Sequence, residues 1–166
     1  MNIRTKRLSI CKATLRDSSF IFELLNSPNW IEFIGDRGIN TIEDAEAYIE
    51  NSLISSYTTL GFGLYKVTLR ENGQAVGISG FLKRDYLEHP DLGFATLPEF
   101  EGRGYSFEAA DALMKFGMQE LELKTIYAIT SHENLASQNL LAKLGLKAKG
   151  IVLPPGEEVE LLLYST

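Results

Sequence analysis

One cysteine, one tryptophan, two histidines and five prolines are all that this chain of 166 residues carries of those residue types. Each scarcity excludes something. A lone Cys11 permits no internal disulfide, which suits a reducing compartment. Inside an alternating run it is expected to pack as a small apolar side chain rather than act as a nucleophile. His89 and His132 lie far apart with no cysteine cluster around them, so no zinc site, and no metal, is expected. No apolar run approaches the ~20 residues of a membrane span, so no membrane association is expected. The opening segment MNIRTKRLSICKA is basic but lacks the apolar core of a secretory signal, and the expected location is cytoplasmic. Basic charge is short as well: 16 Lys and Arg against 22 Asp and Glu leave a net charge of −6. That argues against a broad nucleic-acid-binding face. A small anionic ligand is not excluded, because backbone N–H groups and a helix N-terminus can hold one whatever the total charge.

What the chain does have is the size and composition of one ordinary domain, expected to span residues 1–166 without linker or repeat. Arg7 to Lys12 alternates as a strand. Thr14 to Asn26 has helical spacing with Thr14 as its cap, and Asn26-Ser27-Pro28-Asn29 breaks it. Trp30 to Ile34 is expected to form a helical turn. A second helix is predicted from a capping box at Thr41-Ile42-Glu43-Asp44 to about Ser55. Phe62–Arg70 and Gln74–Lys83 read as a hairpin joined by Asn72-Gly73. A strand follows over Asp91–Leu97, then a helix over Ser106–Leu121 with Phe107, Ala110, Met114, Met118 and Leu121 on one stripe. Next come a strand over Thr125–Thr130 and a helix over Asn134–Leu144 capped by Gly145. Two last strands cover Lys147–Leu153 and Val159–Ser165. The chain is therefore α/β, with an antiparallel start and room for a parallel crossover through the long helix.

The most informative stretch is GFATLPEFEGRGYSFEAADALMKF, from Gly93 to Phe116. A strand meets Pro98, then a turn containing Gly102 and Gly104, then a helix. Such a turn lets a ligand approach the backbone, and the first N–H groups of the helix are free to bind an anion. The dinucleotide pattern fails for want of a third glycine, since Phe107 stands there. The P-loop pattern fails for want of Gly-Lys-Ser/Thr. A plain strand-to-helix turn is the competing reading of the two glycines.

Glu101-Gly102-Arg103-Gly104-Tyr105-Ser106 resembles motif A of the GNAT superfamily, the acetyl-CoA-dependent N-acetyltransferases. Glu101 stands where that family has Gln or Arg, and must then point away from the phosphates. ENLASQNLLAKLGL resembles motif B of the same family through Asn134, Ser137, Lys143 and Gly145. Leu141 takes the place of the tyrosine that many members use to protonate the departing thiolate, and Leu146 that of a phenylalanine. The Asn-x-x-Ser form, and the segments RTKRLSICKATLRDSSFIFELLN and WIEFIGDRGINTIEDAEAYIE, are similar to the ribosomal-protein N-terminal acetyltransferase branch.

The resemblance implies a central mixed sheet of six or seven strands flanked by about four helices. It implies acetyl-CoA as cosubstrate, wedged between the strands ending at Leu97 and starting at Thr125. Phe94, Ala95, Thr96 and Leu97 would line the pantetheine. Gly102, Arg103, Gly104, Tyr105 and Ser106 would hold the pyrophosphate, and a backbone N–H near Ala95 would polarise the thioester carbonyl. Asn134 is either a pantetheine anchor or a helix cap. Ser137 is either a hydrogen-bond donor or acid to the thiolate, or an ordinary packing serine. The base is not legible. Asp91 is a candidate beside the alternative of a solvated strand-end carboxylate, with His89, Glu32 and Tyr86 behind it. Trp30, Phe33 and Ile34 either wall the acceptor site or form a structural cluster. The expected partners are acetyl-CoA and a primary amine, on a protein N-terminus or a small molecule, in a monomer or homodimer. A non-catalytic acyl-CoA sensor is the alternative.

Overall fold

The Asn72-Gly73 turn joins β3 (Leu64–Leu69) to β4 (Ala75–Leu82), closed by Leu69 N donating to Gln74 O at 2.8 Å. This hairpin lies inside the sheet in a computed structural model that describes all residues from 1 to 166. To one side lies β2 (Leu8–Cys11), then β1 (Asn2–Arg4), both antiparallel. To the other lie β5 (Asp91–Thr96), β6 (Tyr127–Thr130), β8 (Leu161–Ser165) and β7 (Lys147–Val152). The order β1-β2-β3-β4-β5-β6-β8-β7 is antiparallel except at β5 and β6, which run parallel.

The sheet has eight strands rather than six or seven. The additional one, β1, spans only three residues and forms because the chain doubles back at Lys6 to pair Asn2 with Cys11. So short an edge strand has no periodicity to detect. Cys11 is only half-buried on its neighbour.

The helices also differ in detail. Thr14 does stand at the cap of the first, where its N–H and hydroxyl donate to Asp17 Oδ2 at 2.8 and 3.2 Å, but the first turn is a 3-10 turn over Leu15–Asp17 before α1 (Ser18–Leu25). Pro28 opens α2 (Pro28–Phe33), where its missing N–H costs nothing. Thr41 and Asp44 form the expected box at the start of α3 (Ile42–Tyr48), and three hydrogen bonds from Asn40 and Thr41 hold the Asp44 carboxyl below its ordinary value. The helix then continues past Ser55, through a π-type segment at Ile49–Ile54 into α4 (Ser55–Thr59). α5 (Tyr105–Gln119) buries Ala109, Ala110, Leu113, Met114 and Gly117, so its core face keeps Ala110 and Met114 of the expected stripe but is rotated toward Leu113 and Gly117, leaving Met118 exposed. α6 (Leu135–Lys143) ends at Gly145, whose N–H reaches Ala142 O at 3.0 Å.

A single core of thirty buried residues joins sheet and helices, with Leu8, Ile10, Ile21, Leu24, Ile49, Phe81, Leu113 and Ile126 wholly enclosed. It seats α5 against β4 and β5, which fixes the N-terminus of α5 at the C-terminal end of β5. No helix is long and apolar enough to cross a membrane.

Candidate active site

Parallel strands β5 and β6 share one ladder pair, Asp91–Tyr127, clasped by Tyr127 N donating to Pro90 O at 2.9 Å. Beyond that pair β6 turns to β8, and the β6-side edge of β5 has no strand on it. Leu97 N donates to Val76 O at 2.8 Å, and the β4–β5 register runs without a bulge. Amides alternate along a strand. Those of Gly93 and Ala95 therefore face β4, while those of Phe94 and Thr96 face the gap. Next to Ala95, the N–H groups that face the gap are therefore those of Phe94 and Thr96, not that of Ala95 itself.

Where the gap opens, Leu97 and Pro98 turn the chain into Glu101–Gly104. Gly102 and Gly104 have φ of +70° and +80°, and Gly104 is the cap residue of α5. Ser106 is tied back to β5 by its hydroxyl, 2.6 Å from that of Thr96. Glu101 accepts from Asn29 Nδ2 at 2.6 Å, so its carboxylate is engaged by α2. Gly102, Arg103 and Gly104 are exposed, and Tyr105 and Ser106 half-buried. A free strand edge, a left-handed glycine turn and the start of a fifteen-residue helix thus lie in succession. The arrangement fits an extended polar arm ending in a pyrophosphate.

Arg7 was not legible as part of this assembly. Its Nε donates to Glu108 Oε2 at 2.7 Å, its Nη1 to Arg103 O at 2.9 Å, and its guanidinium lies 4.5 Å from the Tyr105 ring centre. Thr5 Oγ1 and Arg7 N both donate to Glu108 Oε1. Burial works against ionisation of Glu108, but these hydrogen bonds outweigh it and hold its carboxyl below the ordinary range.

On the opposite wall, Asn134 caps α6 by accepting from Ser137 N at 3.1 Å. The cap role is therefore filled, and only its amide nitrogen is left to donate elsewhere. Ser137 is half-buried one turn along. Leu141 is 1% exposed and belongs to the core, which explains why an apolar residue suits that position. Gln138 Nε2 pins the turn before α6 through Ser131 O and His132 O.

At the closed end of the gap, Asp91 is not a solvated strand-end carboxylate. It is 1% exposed, and both its oxygens accept from Arg84 Nε at 3.0 Å. Burial pushes its carboxyl up, and Arg84 pulls the other way. Arg84 also approaches the Tyr86 hydroxyl, at 3.4 Å. His89 packs edge-on against Tyr127, with ring centres 5.0 Å apart. Trp30 is a core residue whose Nε1 has no partner, Ile34 is exposed, and Glu32 is a surface residue of α2. No group of acidic, histidine or cysteine side chains is arranged to hold a metal.

Solved acetyltransferases share this fold. A GNAT-family acetyltransferase from Bacillus anthracis superposes with a TM-score of 0.83 over 100% of this chain and 98% of that one, at 25% identity. The microcin C7 self-immunity acetyltransferase MccE, solved with acetyl-CoA and AMP, gives 0.81 over 98% and 93%, at 16% identity, which speaks for fold alone. In sequence, the uncharacterized N-acetyltransferase YnaD of Bacillus subtilis is 29% identical over 95% of this chain and 91% of its own. The acetyltransferase (GNAT) domain model matches residues 7–147, and the chain belongs to that family. It is an acetyl-CoA-dependent acyltransferase.

Proposed function

We propose that the chain transfers the acetyl group of acetyl-CoA to a primary amine, on a protein N-terminus or a small molecule, by direct attack within a ternary complex. The observation that carries this is the free edge of β5, which leads from Phe94 to a glycine turn and a helix N-terminus. Acetyl-CoA supplies a thioester, and attack by the neutral amine nitrogen on its carbonyl carbon forms the amide and breaks the C–S bond, with CoA leaving as its thiolate and the proton shed by the nitrogen passing to water. Phe94, Ala95, Thr96 and Leu97 line the pantetheine. Gly102, Arg103, Gly104, Tyr105 and Ser106 receive the pyrophosphate. The Phe94 N–H donates to the carbonyl oxygen as it gains charge. The Asn134 amide nitrogen donates to the pantetheine, and the Ser137 hydroxyl donates to the thiolate.

An α-amine, with pKa of about 7.7 to 8.0 against about 10.4 for lysine, needs little help to lose its proton. That suits a site whose nearest buried carboxylate, Asp91, already has both oxygens engaged. We therefore assign Asp91 to holding Arg84 rather than to proton abstraction. Membership in an acetyltransferase family favours this reading over a non-catalytic sensor.

Following thiol release from acetyl-CoA across a panel of amines and peptides tests the reading; tight CoA binding with no turnover on any acceptor would favour the sensor. Ser137→Ala should lower kcat by about tenfold, the worth of one hydrogen bond to a charged group, with the CoA Kd little changed. An unchanged kcat removes Ser137 from the mechanism.

A further inference from the structure

Next to the head of β5 lies a cleft of about 190 Å³ between α3, its π-type continuation and the ends of β3 and β4. Tyr48, Leu53, Ser56, Leu64, Leu82 and Lys83 are among its walls. An apolar cavity of roughly 150 Å³ accommodates a benzene ring, so this one has room for a leucine-sized side chain. Its position relative to the reacting edge follows from the strand register. Leu82 pairs with Asp91, and side chains two apart on a strand share a face. A Cβ added at Gly93 would come 2.7 Å from Leu82 and 3.3 Å from Leu64, two walls of the cleft. With no side chain at Gly93, Leu82 and Leu64 lie directly on β5 one residue before Phe94 and form the wall between it and the cleft.

Arg84 stands beside the cleft: it follows the wall residue Lys83 and binds Asp91, the cross-strand partner of Leu82. Asp91 takes its Nε from one side. Of its terminal nitrogens, Nη1 has only the long contact to Tyr86 and Nη2 has no partner, and the side chain is 30% exposed. A guanidinium braced from behind, with its fork free, is the group best suited to a planar carboxylate.

We infer that this cleft is the acceptor site and that its acceptor is a free α-amino acid with an apolar side chain, whose carboxylate binds Arg84. The inference rests on the transferase reading and narrows its substrate. It also has a chemical advantage. A carboxylate beside an amine favours the protonated, unreactive ammonium; pairing that carboxylate with Arg84 offsets the effect. A peptide N-terminus has a neutral amide in place of the carboxylate and gains nothing from Arg84.

The test separates binding from turnover. N-acetyl-L-leucine and N-acetyl-L-leucinamide, one product and its uncharged analogue, are titrated into the protein saturated with CoA. The acid should bind about tenfold tighter or more, as expected for a charge-assisted pair. Arg84→Lys should keep part of that preference. Arg84→Gln leaves Asp91 buried and unpaired, so Arg84→Gln/Asp91→Asn is measured beside it, and there the preference should vanish. Equal affinities in the unaltered protein, a preference surviving in the double variant, or no binding of either compound at ~10 mM overturns the inference. Acetylation of leucinamide or peptides as fast as of L-leucine sinks it while leaving the transferase reading intact. Carboxylate-dependent binding with no transfer to any amine sinks the transferase reading and the acceptor role with it, leaving Arg84 only as a carboxylate-binding group.

Discussion

Gly104 holds the turn before α5 in a left-handed conformation, φ +80°, and a Cβ there would lie 3.3 Å from the Arg7 guanidinium. An L-residue in that region costs roughly 1–2 kcal/mol. Two outcomes are open to Gly104→Ala: the chain tolerates the strain, or the turn relaxes and its amides leave their positions. Either way the cost falls on a surface turn outside the core, so the protein should fold. We expect acetyl-CoA affinity to fall by about tenfold, equivalent to about 1.4 kcal/mol, with the melting temperature lowered by only a few degrees. Calorimetry and a thermal melt on the same sample check both. An unchanged Kd would mean that the turn does not hold the pyrophosphate.

Elements far apart in sequence hold that turn in place. The β1–β2 hairpin reaches α5 through Arg7, Thr5 and Glu108, and Arg7 also accepts the duty of holding Arg103 O. Because the folded-state pKa of Glu108 lies below its ordinary 4.5, its contribution to stability is complete above that value. It is lost as pH falls through the lower, folded value. Glu108→Gln should therefore be less stable at neutral pH, by about 1 kcal/mol once solvent screening of Arg7 is allowed for. The deficit should close as the pH falls below that folded value. Melting curves of both proteins across that range decide it, and a deficit that persists at acid pH assigns the loss to packing instead. None of this was legible locally, since Arg7 and Glu108 lie 101 residues apart. The Asn72-Gly73 hairpin, the Thr41–Asp44 box, the Gly145 cap and the strand–glycine turn–helix unit were legible because each is written in a few adjacent residues. The π-type segment at Ile49–Ile54 was not, because its apolar residues also satisfy ordinary helical spacing. The Arg84–Asp91 pair escaped for a different reason. Seven residues separate its members, but only the β4–β5 register buries the carboxylate and gives it a partner.

At the scale of the whole molecule, the sheet is two antiparallel sets of strands meeting at one ladder pair, Asp91–Tyr127. The α5 connection, that ladder pair with its Tyr127 N–Pro90 O hydrogen bond, and the core hold the two sets together, so a ligand along β5 would supply the missing neighbour. Hydrogen exchange gives this a residue-specific form. The Phe94 and Thr96 amides, which face the gap, should exchange quickly in the free protein, whereas those of Gly93 and Ala95, bonded to β4, should be protected throughout. Acetyl-CoA should slow Phe94 and Thr96 selectively. At about 100 times its Kd it should also stabilise the fold by about 2.7 kcal/mol, a rise of some 5–10 °C in melting temperature for a chain of this size. A rise in melting temperature without protection of Phe94 would place the ligand outside the gap. Protection of Ala95 in place of Phe94 would show that the β4–β5 register is shifted by one residue, and the carbonyl-polarising N–H would then be the one on Ala95.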